Sequence, residues 1–115
     1  MTASDGADPV RLELRGAELL VLVTGDLDAE VAHRPVDLVH AHLAEASAPD
    51  ATSTPTVVVV DLTATSFVDS TGIGGLLRVQ QEVSDHGLPF VLRGVGPRLY
   101  RLLQITGLDQ QFDLD

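Results

Sequence analysis

The quartet Asp69-Ser70-Thr71-Gly72 sets an acid and two hydroxyls in a row where a loop turns into a helix. It follows the run Val57-Val58-Val59-Val60-Asp61-Leu62 and precedes Ile73-Gly74-Gly75-Leu76-Leu77, which opens a helical pattern. A hydroxyl at a helix N-terminus can cap free backbone N–H groups, and a phosphate there would meet the same donors. Two readings of Ser70 follow. It is an N-cap and nothing more, or it is a hydroxyl on which chemistry is done.

Other reactive patterns fail on spacing. A Ser-His-Asp hydrolase wants Gly-x-Ser-x-Gly on a tight elbow, whereas Asp69 and Thr71 flank Ser70. Leu77 stands where a Gly-x-Gly-x-x-Gly fingerprint beginning at Gly72 needs its last glycine, and no Gly-Lys-Ser/Thr occurs. Gly72, Gly74 and Gly75 read instead as room for close helix-on-sheet packing. His33, His40, His42 and His86 read as surface residues. His40 and His42, two apart on a helix, diverge, and cysteine is absent, so no metal site is expected. Asp26, Asp28, Asp61 and Asp69 lie near predicted strand ends, where Asp61 and Asp69 could face each other at the edge of a parallel sheet. Without a base, a nucleophile or metal-ligand spacing they read as turn formers. The chain is not expected to be an enzyme or to carry a cofactor.

The elements that must position these residues come from periodicity. Val10-Arg11-Leu12-Glu13-Leu14 alternates as a half-buried strand does, and Leu19 to Val23 follows Gly16 closely enough for a hairpin. Thr24-Gly25-Asp26-Leu27-Asp28 reads as turn chemistry. Val31, Ala32, Val36, Val39, Leu43 and Ala46 recur at helical spacing. Pro35 belongs in a first turn, which puts the main helix over 34–47 with 29–33 as a looser lead-in. Residues 48–56 read as a surface loop. The unbroken apolar run from Val57 to Leu62 predicts a strand buried on both faces, as in a parallel sheet. Ile73, Leu76, Leu77 and Val83 mark a second helix, with Gly87 at its C′ position. A strand over 89–93 comes next. Pro97 opens a third helix faced by Leu99, Leu102, Leu103 and Thr106; Gly107 stops it, and residues 111–114 could add an edge strand. The expected fold class is α/β: a mostly parallel sheet with an N-terminal antiparallel hairpin and three main crossover helices. One domain is expected over 1–115, with 1–8 flexible.

The chain's 115 residues carry 17 acids against seven arginines and no lysine, a net charge of −10. Such a surface repels nucleic acid and anionic lipid, so neither is an expected partner, and it favours encounter with a basic protein face. No apolar run approaches the ~20 residues a bilayer span needs. The polar, acidic start does not read as a signal peptide, and the absence of cysteine fits a cytoplasmic location.

Three segments together resemble a known family over nearly the whole length. Gly25-Asp26-Leu27-Asp28 is similar to its Gly-Glu-Leu-Asp. Val60-Asp61-Leu62 with Phe67-Val68-Asp69-Ser70-Thr71-Gly72-Ile73-Gly74 is similar to its Asp-Leu and Phe-Ile-Asp-Ser-Ser/Thr-Gly-Leu-Gly core. The stretch from Arg101 to Phe112 is similar to its terminal Leu-Leu-x-x-Thr-Gly-Leu-Asp-x-x-Phe. The chain thus resembles the STAS domain, in particular the bacterial anti-sigma factor antagonists. The resemblance implies a small regulatory binding protein. Its unphosphorylated form would bind an anti-sigma factor that is also a serine kinase, releasing a sigma factor and so regulating transcription by partner switching. Phosphorylation of Ser70 would break the complex, and a phosphatase would restore it. Thr71, in place of a frequent serine, is a possible second acceptor; Asp26 replaces glutamate.

The implied partner-binding set is Asp26, Asp28, Phe67, Val68, Asp69, Ser70, Thr71, Gly72 and Ile73. Two readings of Phe67 and Val68 stand: ordinary core at the base of the loop, or one of them exposed as the apolar centre of the interface. The alternative function is a STAS accessory subunit of a transport or lipid-trafficking complex. A nucleotide-binding sensor is a third, weakened by the missing phosphate-loop lysine.

Overall fold

The computed structural model describes residues 8–49 and 54–115. Strands β1 (Val10–Arg15) and β2 (Glu18–Val23) form the expected antiparallel hairpin around Gly16. There follow β3 (Gly25–Leu27), α1 (Arg34–Ala46), β4 (Val57–Asp61), β5 (Thr65–Val68) and α2 (Ser70–Asp85). The chain ends with β6 (Phe90–Arg93), α3 (Pro97–Thr106), a 3-10 turn at Leu108–Gln110 and β7 (Asp113–Leu114). The helices start and stop close to where the residues direct. Pro35 and Pro97 sit in first turns, and Gly87 and Gly107 follow α2 and α3 with φ of +73° and +77°.

The main sheet has the order β1-β2-β4-β6-β7, parallel except for the β1–β2 pair. From β2 onward each new strand is added on the same side. Right-handed crossovers that always advance one way leave every crossover helix on one face. There Val39 and Leu43 of α1 and Leu76, Val79 and Val83 of α2 join one core with Leu19, Val21, Val58, Val60 and Leu92, all buried.

The opposite face is closed differently. Strand alternation sends Leu20 and Val59 there, and they are only 2% and 1% exposed. The same alternation brings Arg11, Glu13, Arg15, Glu18 and Arg93 to that side, where long charged side chains cover apolar floor with their stems. Arg93 reaches across β4 to Glu18 of β2 (3.5 Å) while its Nε donates to Asp115 (2.8 Å). The expectation that β4 is buried on both faces holds, with ion pairs instead of helices on the second.

Three expectations change. Residues 24–28 are not only a turn: Gly25–Leu27 is a strand that pairs in parallel with Thr65–Val68 in a separate two-stranded sheet. Gly25, at φ +79°, makes the bend that takes the chain out of β2 and into β3. Asp8, placed in a flexible start, is held: its carboxylate accepts from the Val10 N–H and from Arg34, both at 3.1 Å. The rest of that start, residues 1–7, lies outside the described residues, as do 50–53 of the expected loop. Thr106, assigned to the buried face of α3, is exposed and turns its hydroxyl back onto the Leu102 carbonyl.

The glycines of α2 divide by what surrounds them. A methyl group at Gly72 would collide with the Leu27 carbonyl, and one at Gly75 with the Ala32 carbonyl, so both are close-packing positions as expected. Gly74 faces open space and does not share that role. Gly75→Ala is therefore expected to destabilise by about 1–3 kcal/mol through overpacking. Gly74→Ala, gaining helix propensity without a clash, is expected to be neutral or stabilising by up to about 1 kcal/mol. A urea midpoint that falls for Gly75→Ala and holds or rises for Gly74→Ala, at unchanged slope, would verify this division.

Candidate functional site

The parallel strands β3 and β5 end side by side, with Leu27 paired to Val68, so the next residues of each, Asp28 and Asp69, leave the small sheet together. Each aspartate starts a turn. The Asp28 side chain accepts from the Glu30 N–H (3.1 Å) and its carbonyl from the N–H groups of Val31 and Ala32. The Asp69 side chain accepts from the Gly72 N–H at 2.8 Å and so caps α2. Asp69 in turn donates its N–H to the Leu27 carbonyl at 3.4 Å.

This overturns the reading of Ser70 as the cap. The N-cap is Asp69, and Ser70 is the first residue inside the helix. Ser70 and Thr71 are both exposed, and among the described residues neither hydroxyl has a hydrogen-bond partner. The hydroxyls project at the N-terminal end of a 16-residue helix, where the backbone dipole favours negative charge.

Of the other positions in the expected set, Asp26 and Phe67 reach the surface, paired in register on β3 and β5, with Phe67 47% exposed. Val68, Gly72 and Ile73 lie beneath them, buried in the core. The two readings of Phe67 and Val68 thus divide between the residues: Val68 is core and Phe67 is not. Alternation along β5 forces that split once the segment is a strand.

Asp61 does not face Asp69. Its carboxylate accepts from the Thr63 N–H at 2.9 Å, while Asp69 is committed to Gly72. Burial pushes the Asp61 pKa up, but hydrogen bonds from Thr63 and the charges of Arg93 and Arg15 outweigh it and hold the group below its usual range. Asp28, Asp61 and Asp69 are the turn formers that their positions suggested. His40 of α1 lies 2.9 Å from Glu82 of α2 and links the two helices, while His86, at the end of α2, lies 3.7 Å from the same carboxylate. Among the described residues no group of three or more His, Cys, Asp or Glu could hold a metal ion.

One surface escaped the sequence reading. An open groove of about 480 Å³ runs between β5 and α3, lined by Leu62, Phe67, Leu102 and Ile105 and flanked by Arg98 and Arg101. Ile105, 74% exposed, is its most prominent apolar residue. The available signal was Arg98, Arg101, Leu102 and Ile105 at three-to-four spacing, a second stripe beside the buried Leu103, with the half-buried Leu99 bordering both.

Three consequences are measurable. Asp69→Ala should cost about 0.5–2 kcal/mol as the cap is lost. Ser70→Ala should stay within about 0.5 kcal/mol of the parent in thermal melts. A carboxylate with a depressed pKa stabilises above its unfolded pKa and loses that contribution as pH falls through the folded one. Comparing urea midpoints of Asp61→Asn and the parent from neutral pH down past the carboxylate range should show the gap closing in acid.

Comparison with known proteins agrees with this geometry. The family model for the STAS domain matches residues 9–115. The chain is 28% identical over 94 residues, 82% of its length and 75% of the relative's, to the anti-sigma-B factor antagonist of Listeria monocytogenes. It is similar in structure to an anti-sigma factor antagonist from Mycobacterium paratuberculosis, with a TM-score of 0.72 at 26% identity, covering 91% of this chain and 82% of that one. The phosphorylated form of the Bacillus cell fate determinant SpoIIAA shares the fold, with a TM-score of 0.66 at 18% identity over 92% and 90% of the two chains. With a mostly parallel sheet, a capped α2 following β5 and a family match over residues 9–115, the chain belongs to the STAS domain family.

Proposed function

We propose that this chain is an anti-sigma factor antagonist that binds a kinase-type anti-sigma factor when unmodified and is switched off by phosphorylation of Ser70. The observation that carries the reading is the division of labour at the start of α2. Asp69 supplies the cap, so the Ser70 hydroxyl is exposed and free to accept a phosphoryl group without costing the helix its cap. The names of the Listeria and Mycobacterium relatives support the same assignment.

The form of the switch follows from charge. A phosphate adds about −1.5 to −2 near neutral pH. The helix N-terminus favours it by roughly 0.3–1 kcal/mol, so the fold persists. A partner closed over Ser70 would have to bury that charge beside the carboxylate of Asp69 and the exposed Asp26, which works against the complex. The interface would be blocked locally. Phe67 and Asp26 would flank the contact at the surface, while Val68, Gly72 and Ile73 would shape it from below. Thr71, equally exposed, is the second candidate acceptor, and a phosphatase would reset the switch.

Incubation with candidate anti-sigma factor kinases and ATP, followed by mass mapping, should place phosphate on Ser70 and none on Ser70→Ala. Ser70→Glu should lose at least about tenfold in partner affinity, some 1.4 kcal/mol, with an unchanged melting profile. Nearly unchanged affinity would sink the switch. Recovery of a membrane transport complex instead of an anti-sigma factor in pull-downs would favour the accessory-subunit reading.

A further inference from the structure

The groove between β5 and α3 is bounded in an unusual way. All four residues of β5, Thr65 to Val68, line it, although alternate residues of a strand point to opposite sides. Residues of both parities border the same space when that space lies along the edge of the strand instead of over one face. One edge of β5 is taken by β3, and the small sheet has only these two strands among the described residues. The groove therefore runs along the edge of β5 that has no strand partner. Its far wall is the α3 stripe Arg98, Arg101, Leu102 and Ile105. A strand edge facing a helix across an apolar channel is the geometry in which an extended peptide can add as a further strand.

Charge on the rim selects what kind of peptide. Four arginines, Arg11, Arg15, Arg34 and Arg93, lie within ion-pair distance of an acid. Arg78, Arg98 and Arg101 are exposed, and no ion pair involves any of them among the described residues; Arg78 lies on α2, and only Arg98 and Arg101 border the groove. In a chain of net charge −10 these two guanidinium groups, one helical turn apart beside an apolar channel, are a local exception. They suit carboxylates. The lips also favour a macromolecular occupant: Phe67 and Ile105 stand out from the groove and do not roof it, whereas small-molecule sites enclose most of their ligand. A second copy would set a whole body of net charge −10 against another, and an anionic membrane would meet the same repulsion, whereas a short acidic segment engages the two arginines locally.

We infer that this groove is a docking site for an extended, acidic segment of a partner protein, which pairs with the free edge of β5 and sets apolar side chains against Phe67, Leu102 and Ile105. Arg98 and Arg101 hold its carboxylates. The site does not depend on Ser70 being a phosphoacceptor. Either assignment can fail while the other stands.

The test is selection of a random 12-residue phage-displayed peptide library on the immobilised full chain, followed by titration of the winning peptides in solution. Acidic-apolar sequences should be enriched, and their affinity should fall at least about tenfold for Arg98→Glu/Arg101→Glu and for Ile105→Ser. All three positions are exposed, and unchanged melting curves would confirm that these variants fold. Hydrogen exchange should show new protection of β5 amides on peptide binding, which side-chain contact alone would not produce. Enrichment of basic or uncharged sequences, absence of any enrichment, or binding insensitive to the variants would overturn the proposal. So would sedimentation showing a dimer that Ile105→Ser dissolves, since the occupant would then be a second copy.

Discussion

The carbonyl oxygen of Leu27 is the point on which the functional end of the molecule is built. It accepts the N–H of Asp69, and it lies so close to α2 that position 72 has no room for a side chain. That approach fixes the height of the helix start over the small sheet. Asp69 can then turn its carboxylate to the Gly72 N–H, leaving Ser70 and Thr71 as the first residues outside the packed layer. A larger residue at 72 would lift the helix and misplace cap and hydroxyls together. The same close fit recurs one turn on, where Gly75 meets the Ala32 carbonyl. The loop begun by Asp28 is thereby packed under the helix begun by Asp69.

Much of this was legible from periodicity, because long elements repeat their signal. The first strand of the hairpin alternates, its second is a run of five apolar residues, the central strand carries four valines in a row, and Pro35, Gly87, Pro97 and Gly107 punctuate the helices. The small sheet was not legible. Three and four residues give too few repeats to tell a strand from a turn, and Gly25-Asp26 carries turn chemistry because the chain does bend there before it pairs. Missing β5 also hid the outward turn of Phe67, since only a strand obliges neighbours to part.

At the site, the residue types were readable but their allocation was not. An acid followed by two hydroxyls offers three capping candidates. The choice among them depends on where the helix begins, and that is set by contact with β3, far away in sequence. The groove beside α3 was hidden for a related reason. Leu99, Leu102 and Leu103 read as one apolar face, while in the fold Leu103 alone is fully buried, and Leu99 and Leu102, half-buried against the core, also line the groove. A stripe facing another element and a stripe facing a vacant channel look alike in a single chain.

The side of the main sheet without helices has a mechanical consequence. Arg93 fastens three strands by reaching across β4 to Glu18 and holding Asp115 just past β7. The guanidinium is a planar fork of several donors, so one side chain can face two carboxylates in different directions at once. The strap therefore has a single knot, on β6, and two outlying ends. Removing that one residue would take away both ties together, while the helix-covered core on the other face stays shut.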